Sequence, residues 1–533
     1  MPQPLLRALA ALLLLSRAAP RSNDAAGAPT AAALAAAPTP NVLLVLVDNL
    51  RPALGCYGDA AAVTPAIDAL AASASATLFA NAVSQVAWCA PSRNSFLSGR
   101  RPRATRAYNF LDDFREPGAG ADWVTLPGYF KAHGYYATSV GKVFHPNLPA
   151  DGDFPQSWSD APFAPDKRGC PGETMTCALA PGDVDVDAAA ADEAIARLAR
   201  RPAGAPFFLA LGLQGPRLPW RFAPAEAARL PLPADFPLAI NRTAVGLAPL
   251  EYFRPTEVDQ YSDVRNVTHA APMADTQQRA ARRAYYATVA GADTQLARVL
   301  VALEASGDAN STIVALAADH GQSLGERNLW SMMGLLDAST RVPLIVRLPP
   351  SFSAAAQPRV YYEPVELVDL YPTLASLAGL PPPPAAWALP GADLSPAFSG
   401  GAVAKDAAFS QITRCFDCAA AYANESAQCA YDAAADAGFS VPCALAPREA
   451  FDVMGVSVRT RDWRLSAFCA WRGAELAVDL ANCSSVQLFD HRGDFAPGDP
   501  LFDAEAESVN LANDTALSGV RDALMARIAA EFG

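Results

Sequence analysis

The chain has 533 residues, of which 51% are hydrophobic and 18% are charged, a composition typical of globular rather than disordered proteins. Its net charge of −13 argues against a nucleic-acid partner, because contacts with phosphates require clustered lysine and arginine side chains. The length exceeds what a single hydrophobic core usually holds, so we expect one large domain and one smaller domain.

The N-terminal residues have the layout of a cleaved secretory signal. A short segment with one positive charge, residues 1–7, precedes the apolar run of residues 8–15, and small residues follow. This run is too short to span a bilayer, and no other stretch approaches that length, so we expect a soluble mature protein without membrane insertion. We predict a signal peptide over residues 1–22 and a disordered leader over residues 23–38.

The sequons and the cysteines agree with a secretory route. Six Asn-x-Ser/Thr sequons are present, each a weak indication by itself, at Asn241, Asn266, Asn310, Asn424, Asn482 and Asn513. Cys170 and Cys177 flank a loop-like segment and six further cysteines lie in the C-terminal third, so an oxidising compartment would pair them. Cys415 and Cys418 could instead form half of a zinc site, but without a second CxxC or HxxxH motif disulfides are favoured. We expect a glycoprotein that is secreted or reaches a lysosome-like compartment.

The first predicted elements are a strand and two helices, the second of which begins near Cys89. Residues 41–49 are a continuous apolar run that ends in polar residues, which is typical of a buried parallel strand. Thr64 and Pro65 predict the start of a helix, because a capping residue is followed by proline at the first helical position. Pro91 is similarly placed to start a helix that ends at Gly99.

Strands and helices then alternate along the chain. Helices are predicted at residues 126–134, 187–198, 276–305 and 365–380, and strands at residues 135–140, 206–213, 311–318 and 342–348. This alternation predicts an α/β sandwich around a large, mostly parallel sheet. Polar residues stand at four strand ends, where ligand sites of such sheets lie: Asp48, Lys142, Gln214 and Asp319.

The pattern changes near the C-terminus. From about residue 451 short strands such as 456–460 and 486–490 precede a final helix, which predicts a small α+β domain. We place the large domain at residues 39–445 and the C-terminal α+β subdomain at residues 446–533.

Several segments together resemble one enzyme family. Cys89 to Arg93 reads CAPSR and is followed by Leu97-Ser-Gly99, which resembles the signature of the formylglycine-dependent sulfatases. Further segments match in order: Asp48-Asn49, Gly141-Lys142-Val-Phe-His145 and Asp319-His320-Gly321. The surrounding sequence resembles the iduronate-2-sulfatase branch of the family over most of residues 40–380, and more loosely from residue 454 to the end. The resemblance implies an alkaline-phosphatase-like fold.

The resemblance also implies a reaction and its residues. In this family a dedicated formylglycine-generating enzyme oxidises the cysteine that corresponds to Cys89. The hydrated aldehyde then supplies one hydroxyl to attack sulfur and a second whose deprotonation expels the sulfate. Arg93 and Lys142 match the cations that hold the hydrate and the sulfate oxygens, and His145 matches the base.

A calcium site is implied in the same way. Asp48, Asn49, Asp319 and His320 match the metal-ligand positions, together with the formylglycine at residue 89. Oxygen ligands gathered from distant strand ends suit a hard cation such as calcium, which would polarise the sulfate.

Three positions depart from the family pattern. Asn49 replaces an aspartate, Gln214 replaces a histidine that protonates the leaving oxygen, and Met332 replaces a lysine that binds sulfate. A glutamine cannot act as a general acid, and a methionine cannot pair with an anion. Arg217 or Arg327 could supply the missing positive charge.

The sequence therefore favours one function over two others. We expect hydrolysis of sulfate esters on a sulfated carbohydrate. A catalytically impaired or inactive protein of the same fold that binds sulfated glycans is the main alternative, because three positions of one pocket are changed. A phosphoester or phosphonate hydrolase of the wider superfamily is disfavoured by the CAPSR segment.

Overall fold

The computed structural model describes residues 39–116, 119–166, 169–240, 246–253, 256–264, 267, 271–350, 359–417, 421 and 440–533. The predicted signal peptide and leader lie outside these residues, as do Cys418, Cys429 and the sequons at Asn241, Asn266 and Asn424. Within the described part of the chain, no helix is both long enough and apolar enough to cross a membrane.

Eighteen strands and eleven α-helices are found in the described residues. The strands are β1 Asn41–Val47, β2 Ala76–Phe79, β3 Ala82–Val83, β4 Tyr136–Gly141, β5 Thr176–Ala178, β6 Phe207–Leu213, β7 Trp220–Phe222, β8 Thr312–Ala318, β9 Ser323–Leu324, β10 Trp330–Ser331, β11 Arg341–Val342, β12 Leu344–Arg347, β13 Arg359–Tyr361, β14 Val365–Glu366, β15 Ala408–Arg414, β16 Val453–Arg459, β17 Trp463–Arg472 and β18 Ala477–Asp490. The helices are α1 Pro65–Ala71, α2 Cys89–Ser98, α3 Pro102–Thr105, α4 Leu126–Ala132, α5 Val186–Arg200, α6 Pro224–Ala227, α7 Thr256–Asp259, α8 Asp275–Ala305, α9 Asp337–Thr340, α10 Leu370–Leu377 and α11 Ser518–Phe532.

The largest sheet has seven strands in the order β13-β2-β12-β8-β1-β6-β4. β1 lies between β6 and β8 and is parallel to both, and β4 is parallel to β6. In β1 only the first residue, Asn41, is not fully buried, which explains why the sequence of this strand is continuously apolar rather than alternating. The predicted α/β fold with a mostly parallel sheet is confirmed, and β12 is the antiparallel exception between β8 and β2.

Two predicted elements differ from the structure. The predicted helix over residues 365–380 forms only at α10, because residues 365–366 pair with β3 as β14. The predicted strand over residues 342–348 is divided into β11 and β12, which belong to different sheets. In the first segment pairing with a distant strand overrides the local helical pattern, and in the second Pro343 lies between the two strands.

The smaller sheet is antiparallel, with the order β15-β16-β17-β18, and α11 packs on it through Leu524, Ile528 and Phe532. The predicted small C-terminal domain with strands and a final helix is confirmed. β15 precedes residue 446, so the sheet takes strands from both sides of the predicted boundary.

Three disulfides are found among the described residues: Cys170–Cys177, Cys415–Cys443 and Cys469–Cys483. Cys469 and Cys483 face each other in the register of β17 and β18. Cys415 is therefore part of a disulfide rather than of a half zinc site.

Two hydrophobic cores meet at α2. Phe96 and Leu97 belong to the core around the large sheet, whereas Trp88 and Cys89 belong to the core beneath the small sheet. The first turn of α2 therefore lies at the junction of the two parts of the molecule.

Candidate active site

Cys89 is the first residue of α2 and is completely buried. Trp88 before it is extended, and Pro91 in the first turn donates no backbone hydrogen bond that the helix would need there. The helix ends at Gly99, whose φ of 70° is left-handed and where a Cβ would lie 2.6 Å from the ring of Tyr371. The unpaired N–H groups of the first turn create a positive potential at Cys89.

Four strands of the large sheet end beside Cys89. β1 is followed by Asp48 and Asn49, β4 by Lys142, β6 by Gln214, and β8 by Asp319 and His320. The sheet thus brings the polar residues predicted at strand ends to one edge, because parallel strands share the edge at which they end.

A close approach of β4 and β6 positions Lys142. A Cβ on Gly141 would lie only 2.0 Å from the carbonyl oxygen of Gly212, and Gly141 has a φ of +75°. The backbone N–H of Lys142 donates to that same oxygen at 2.9 Å. Glycine is therefore required at residue 141 for Lys142 to reach the edge of the sheet.

Arg93 connects the ends of β1 and β8. Its Nη2 donates to Asp48 Oδ1 at 2.9 Å and its Nε to Asp319 Oδ2 at 2.9 Å, and all three side chains are fully buried. Lys142 Nζ lies 2.5 Å from the other oxygen of Asp48. Burial alone would raise the pKa of Asp48, but the attraction of Lys142 and Arg93 outweighs it and holds that pKa well below its ordinary value. Asp48 is therefore ionised.

The cluster also has the donors of a cation site. One ligand atom from each of Asp48, Cys89, Asp319 and His320 lies within 4.8 Å of the others, and Asn49 Oδ1 lies 3.7 Å from Cys89 Sγ. His320 Nδ1 lies 2.9 Å from the carbonyl oxygen of Gly321, and Nε2 faces Cys89 Sγ at 3.2 Å. This mainly oxygen-donor set fits a hard divalent cation.

The surroundings of His320 favour its protonated form. Burial lowers its pKa, but the electrostatic influence of Asp319 and Cys89 outweighs this and raises the pKa to about 9. A cation bound at Nε2 would therefore displace a proton.

The cluster opens on a cleft of about 680 Å³, whose lining includes Lys142, His145, Gln214 and Arg217. The half-buried ring of His145 lies 4.9 Å from that of Phe110, and its Nδ1 lies 3.2 Å from the carbonyl oxygen of Pro146. Burial, Lys142 and Arg217 hold the pKa of His145 well below its ordinary value. His145 is therefore a neutral imidazole at the wall of the cleft.

Two of the three departures from the family pattern are in direct contact. Asn49 Nδ2 donates to Gln322 Oε1 at 2.9 Å and lies 3.6 Å from Met332 Sδ, and Met332 is buried. The backbone of Asn49 is left-handed, with a φ of 60°, a conformation that asparagine adopts readily. Asn49 and Met332 therefore form one neutral pair rather than two independent changes.

The third departure, Gln214, lies in the wall of the cleft, and its backbone N–H donates to Asp187 Oδ1 at 2.6 Å. The side chain that follows β6 and reaches Cys89 is Arg217, whose Nη1 lies 3.3 Å from Cys89 Sγ. Arg327, the other arginine considered from the sequence, instead donates to the carbonyl oxygens of Ala504 and Glu507.

Sequence reasoning did not find Phe110, Glu257 or Gln322, although each contacts a residue of the site. Phe110 and Glu257 belong to no motif and follow no predicted strand of the large sheet, whereas Gln322 directly follows the Asp319-His320-Gly321 segment. Only the tertiary structure brings the three into contact with residues of the site.

Comparison with known proteins gives a consistent result. A family model described as Sulfatase matches residues 40–380. Human iduronate 2-sulfatase is 39% identical over 64% of this chain and 70% of its own length, and the mouse enzyme is 34% identical over 91% and 93%. The solved structure of a 2-O GAG sulfatase superposes with a TM-score of 0.65 at 19% identity, over 93% of this chain and 92% of that one.

Proposed function

Because the chain belongs to the sulfatase family and is a sulfuric-ester hydrolase, we propose that it removes sulfate from a sulfated carbohydrate by means of a formylglycine formed from Cys89. The 34–39% identity with two iduronate 2-sulfatases supports a sulfated sugar as the substrate.

One observation carries this proposal. Cys89 lies at the N-terminus of α2, and its Sγ is within 3.7 Å of Asn49, His320 and Arg217, beside a cleft large enough for a sugar. A buried thiol has no comparable surroundings in an ordinary core, where its neighbours are apolar.

The side chains around residue 89 have separate tasks. Formylglycine, when present, supplies the hydroxyl that attacks sulfur and a second hydroxyl whose deprotonation releases sulfate. His145, kept neutral by its positive neighbours, accepts that proton at Nε2, the ring nitrogen opposite the one near Pro146. Lys142 provides positive charge at the cleft for the sulfate oxygens, and Arg93 fixes the two carboxylates that face residue 89.

We further propose that calcium is the bound cation. Asp48, Asn49, Asp319 and His320 would hold it together with residue 89, since their ligand atoms converge on one point. The ion would supply positive charge that polarises the sulfate. Asn49 offers a neutral oxygen, so this cage carries less negative charge than one with a third carboxylate.

The proposed setting is the secretory pathway, where a formylglycine-generating enzyme would act on Cys89 during maturation. Three disulfides and three exposed sequon asparagines, Asn310, Asn482 and Asn513, support an oxidising compartment and glycosylation. The mature protein would then be secreted or delivered to a lysosome-like compartment.

The test begins with the mass of the peptide that contains residue 89. The protein is made in a secretory cell with the formylglycine-generating enzyme, and sulfate release is measured from nitrophenyl sulfate and from sulfated oligosaccharides. We expect at least partial conversion of Cys89 and turnover that Cys89→Ala abolishes.

Two results would contradict the proposal. Unmodified cysteine, under conditions that convert a control sulfatase, would exclude the formylglycine route. Binding of sulfated oligosaccharides without any turnover would instead support the non-catalytic alternative.

A further inference from the structure

The pocket lacks the lysine that the family pattern places at residue 332, yet positive charge reaches the nucleophile from another element. Arg217 follows β6, and its Nη1 lies 3.3 Å from Cys89 Sγ. The side chain is 20% exposed and lines the cleft, so it is accessible to a ligand there.

The guanidinium is not fully satisfied by the protein. Its Nη2 lies 3.5 Å from Glu257 Oε1, a long ion pair, and its Nε is buried without a hydrogen-bond partner among the described residues. The Nε atoms of Arg51 and Arg347 are also buried without a partner among the described residues, so what distinguishes Arg217 is its position at the wall of the cleft, where a ligand can supply the acceptor.

Glu257 joins Arg217 to the segment that carries Met332. The other oxygen of Glu257 accepts a hydrogen bond from Ser331 Oγ at 2.5 Å, and Ser331 directly precedes Met332. Glu257 is 8% exposed at its side chain, so both contacts are shielded from solvent. One carboxylate thus contacts both Arg217 and the residue that precedes Met332, where the family pattern has lysine.

We propose that Arg217, oriented by Glu257, binds the sulfate group of the substrate beside residue 89 and replaces the positive charge lost at Met332. The inference rests on the proposed function, because it assigns a residue to the same sulfate-ester site. Arg217 is then a sulfate-binding residue and Glu257 a positioning residue.

The chemistry of the side chain fits this assignment. Guanidinium presents donors in a planar fork that engages two oxygens of an oxyanion at once, whereas lysine presents a point charge. In a site screened from water such a contact is stronger than at the surface, and preorganised donors lose little by reorientation.

The first experiment compares Arg217→Met and Arg217→Lys with the native enzyme. We expect Arg217→Met to lower kcat/KM on nitrophenyl sulfate by about 10²–10³-fold, the usual cost of one lost contact to a developing charge. Arg217→Lys should keep part of this activity. The matched control is Arg221→Met, which removes a guanidinium from β7 that pairs with Asp183 at 3.3 Å and lies outside the lining of the cleft.

The second experiment separates positioning from folding. Glu257→Gln keeps an oxygen for Arg217 and should retain most activity, whereas Glu257→Ala should raise KM and the inhibition constant of inorganic sulfate. Met332→Lys in the Arg217→Met background returns a positive charge to the family position, and we expect it to restore part of the lost turnover. A purely structural role of Arg217 would not permit that rescue.

Calorimetric measurement of inorganic sulfate binding tests the inference without relying on turnover. If native protein and Arg217→Met bind sulfate equally and turn over equally, the inference is wrong and the proposed function stands. If residue 89 is unmodified and the protein is inactive, but Arg217→Met still loses sulfate binding, the proposed function fails and Arg217 keeps its role.

Discussion

Two buried groups of charged side chains lie in this protein, and they have different surroundings. The nucleophile cluster consists of Asp48, Cys89, Arg93, Lys142, Asp319 and His320. The interdomain cluster consists of Asp337, Arg341, Arg459, Arg464, His491, Asp494 and Glu507. Each contains at least three potential metal ligands whose atoms lie within 4.8 Å of one another.

In the interdomain cluster, arginine side chains of the cluster itself pair with its carboxylates. Arg464 Nε lies 2.6 Å from Glu507 and its Nη2 also pairs with Asp337, while Arg459 lies 3.4 Å from Asp337. His491 lies 3.2 Å from Glu507. These pairs connect α9 of the large part of the molecule to β16 and β17 of the small sheet.

The nucleophile cluster contains a thiol at a helix N-terminus and opens on a cleft through Lys142. Burial and charge are similar in the two clusters, so neither property identifies the active site. Access to a cleft and a thiol at a helix N-terminus distinguish the cluster that we propose as the active site. The comparison predicts that substitutions in the interdomain cluster lower stability, whereas substitutions in the nucleophile cluster lower turnover.

The largest effect is expected in the interdomain cluster. Asp337→Asn leaves Arg341, Arg459 and Arg464 without their shared carboxylate, and removal of one partner from a buried ionic group costs about 3–5 kcal/mol. Thermal or urea denaturation measures the loss, while kcat of the protein that remains folded should be unchanged. As a control, Asp490→Asn removes a pair with exposed Arg492 and should leave the denaturation midpoint nearly unchanged.

Lys142→Met, in contrast to Asp337→Asn, should lower turnover more than stability. It removes a positive charge beside the nucleophile, so kcat/KM should fall by about 10²–10³-fold, while Asp48 keeps its contact with Arg93. Lys405 is a matched lysine, 9% exposed compared with 6% for Lys142, that pairs with Glu366 and Asp369 away from the cleft. Lys405→Met should lower the denaturation midpoint and leave turnover intact. Equal losses of activity in the two variants would show that loss of a buried lysine, and not its position beside Cys89, lowers turnover.

Asn49 and Met332 should behave as a coupled pair. Asn49→Asp places a carboxylate beside Gln322 Oε1 and the sulfur of Met332, and Met332→Lys places a buried ammonium group beside the Asn49 amide. Each single variant should be destabilised without calcium, and the double variant less than their sum, with a coupling of about 0.5–3 kcal/mol.

A double-mutant cycle by denaturation in calcium-free buffer measures this coupling. The single variant Asn49→Asp should also bind calcium more tightly than the native protein, since one more carboxylate would face the ion. Additive effects would show that the contact between the two residues has no energetic consequence.

The smallest effect concerns pH. Burial, then the positive charges of Lys142 and Arg217, lower the pKa of His145, so the base stays neutral at pH values where an ordinary histidine is protonated. Activity should therefore be lost only as the pH falls through this lowered pKa, and the acid limb of kcat/KM should lie below about 6.5. Arg217→Met removes one of the charges and should move that limb to higher pH. A limb that does not move would mean that it reports another group.

Parts of the fold followed directly from local patterns. The apolar runs that became β1, β6 and β8 are long, buried and bounded by polar residues, so a strand is the arrangement that fits them. The short segment at residues 365–366 was predicted as helix, because its pairing with β3 depends on residues nearly 300 positions away. Local periodicity cannot contain that information.

The sequence by itself determined the fold class, the positions of the strand ends and the CAPSR segment, because each depends on neighbouring residues and on the rule that parallel strands share an edge. The tertiary structure decided that Arg217 and not Arg327 reaches Cys89, and that Asn49 contacts Met332. These contacts join residues more than 100 positions apart, and their energies depend on the burial and charge of every neighbour, which only the folded chain brings together.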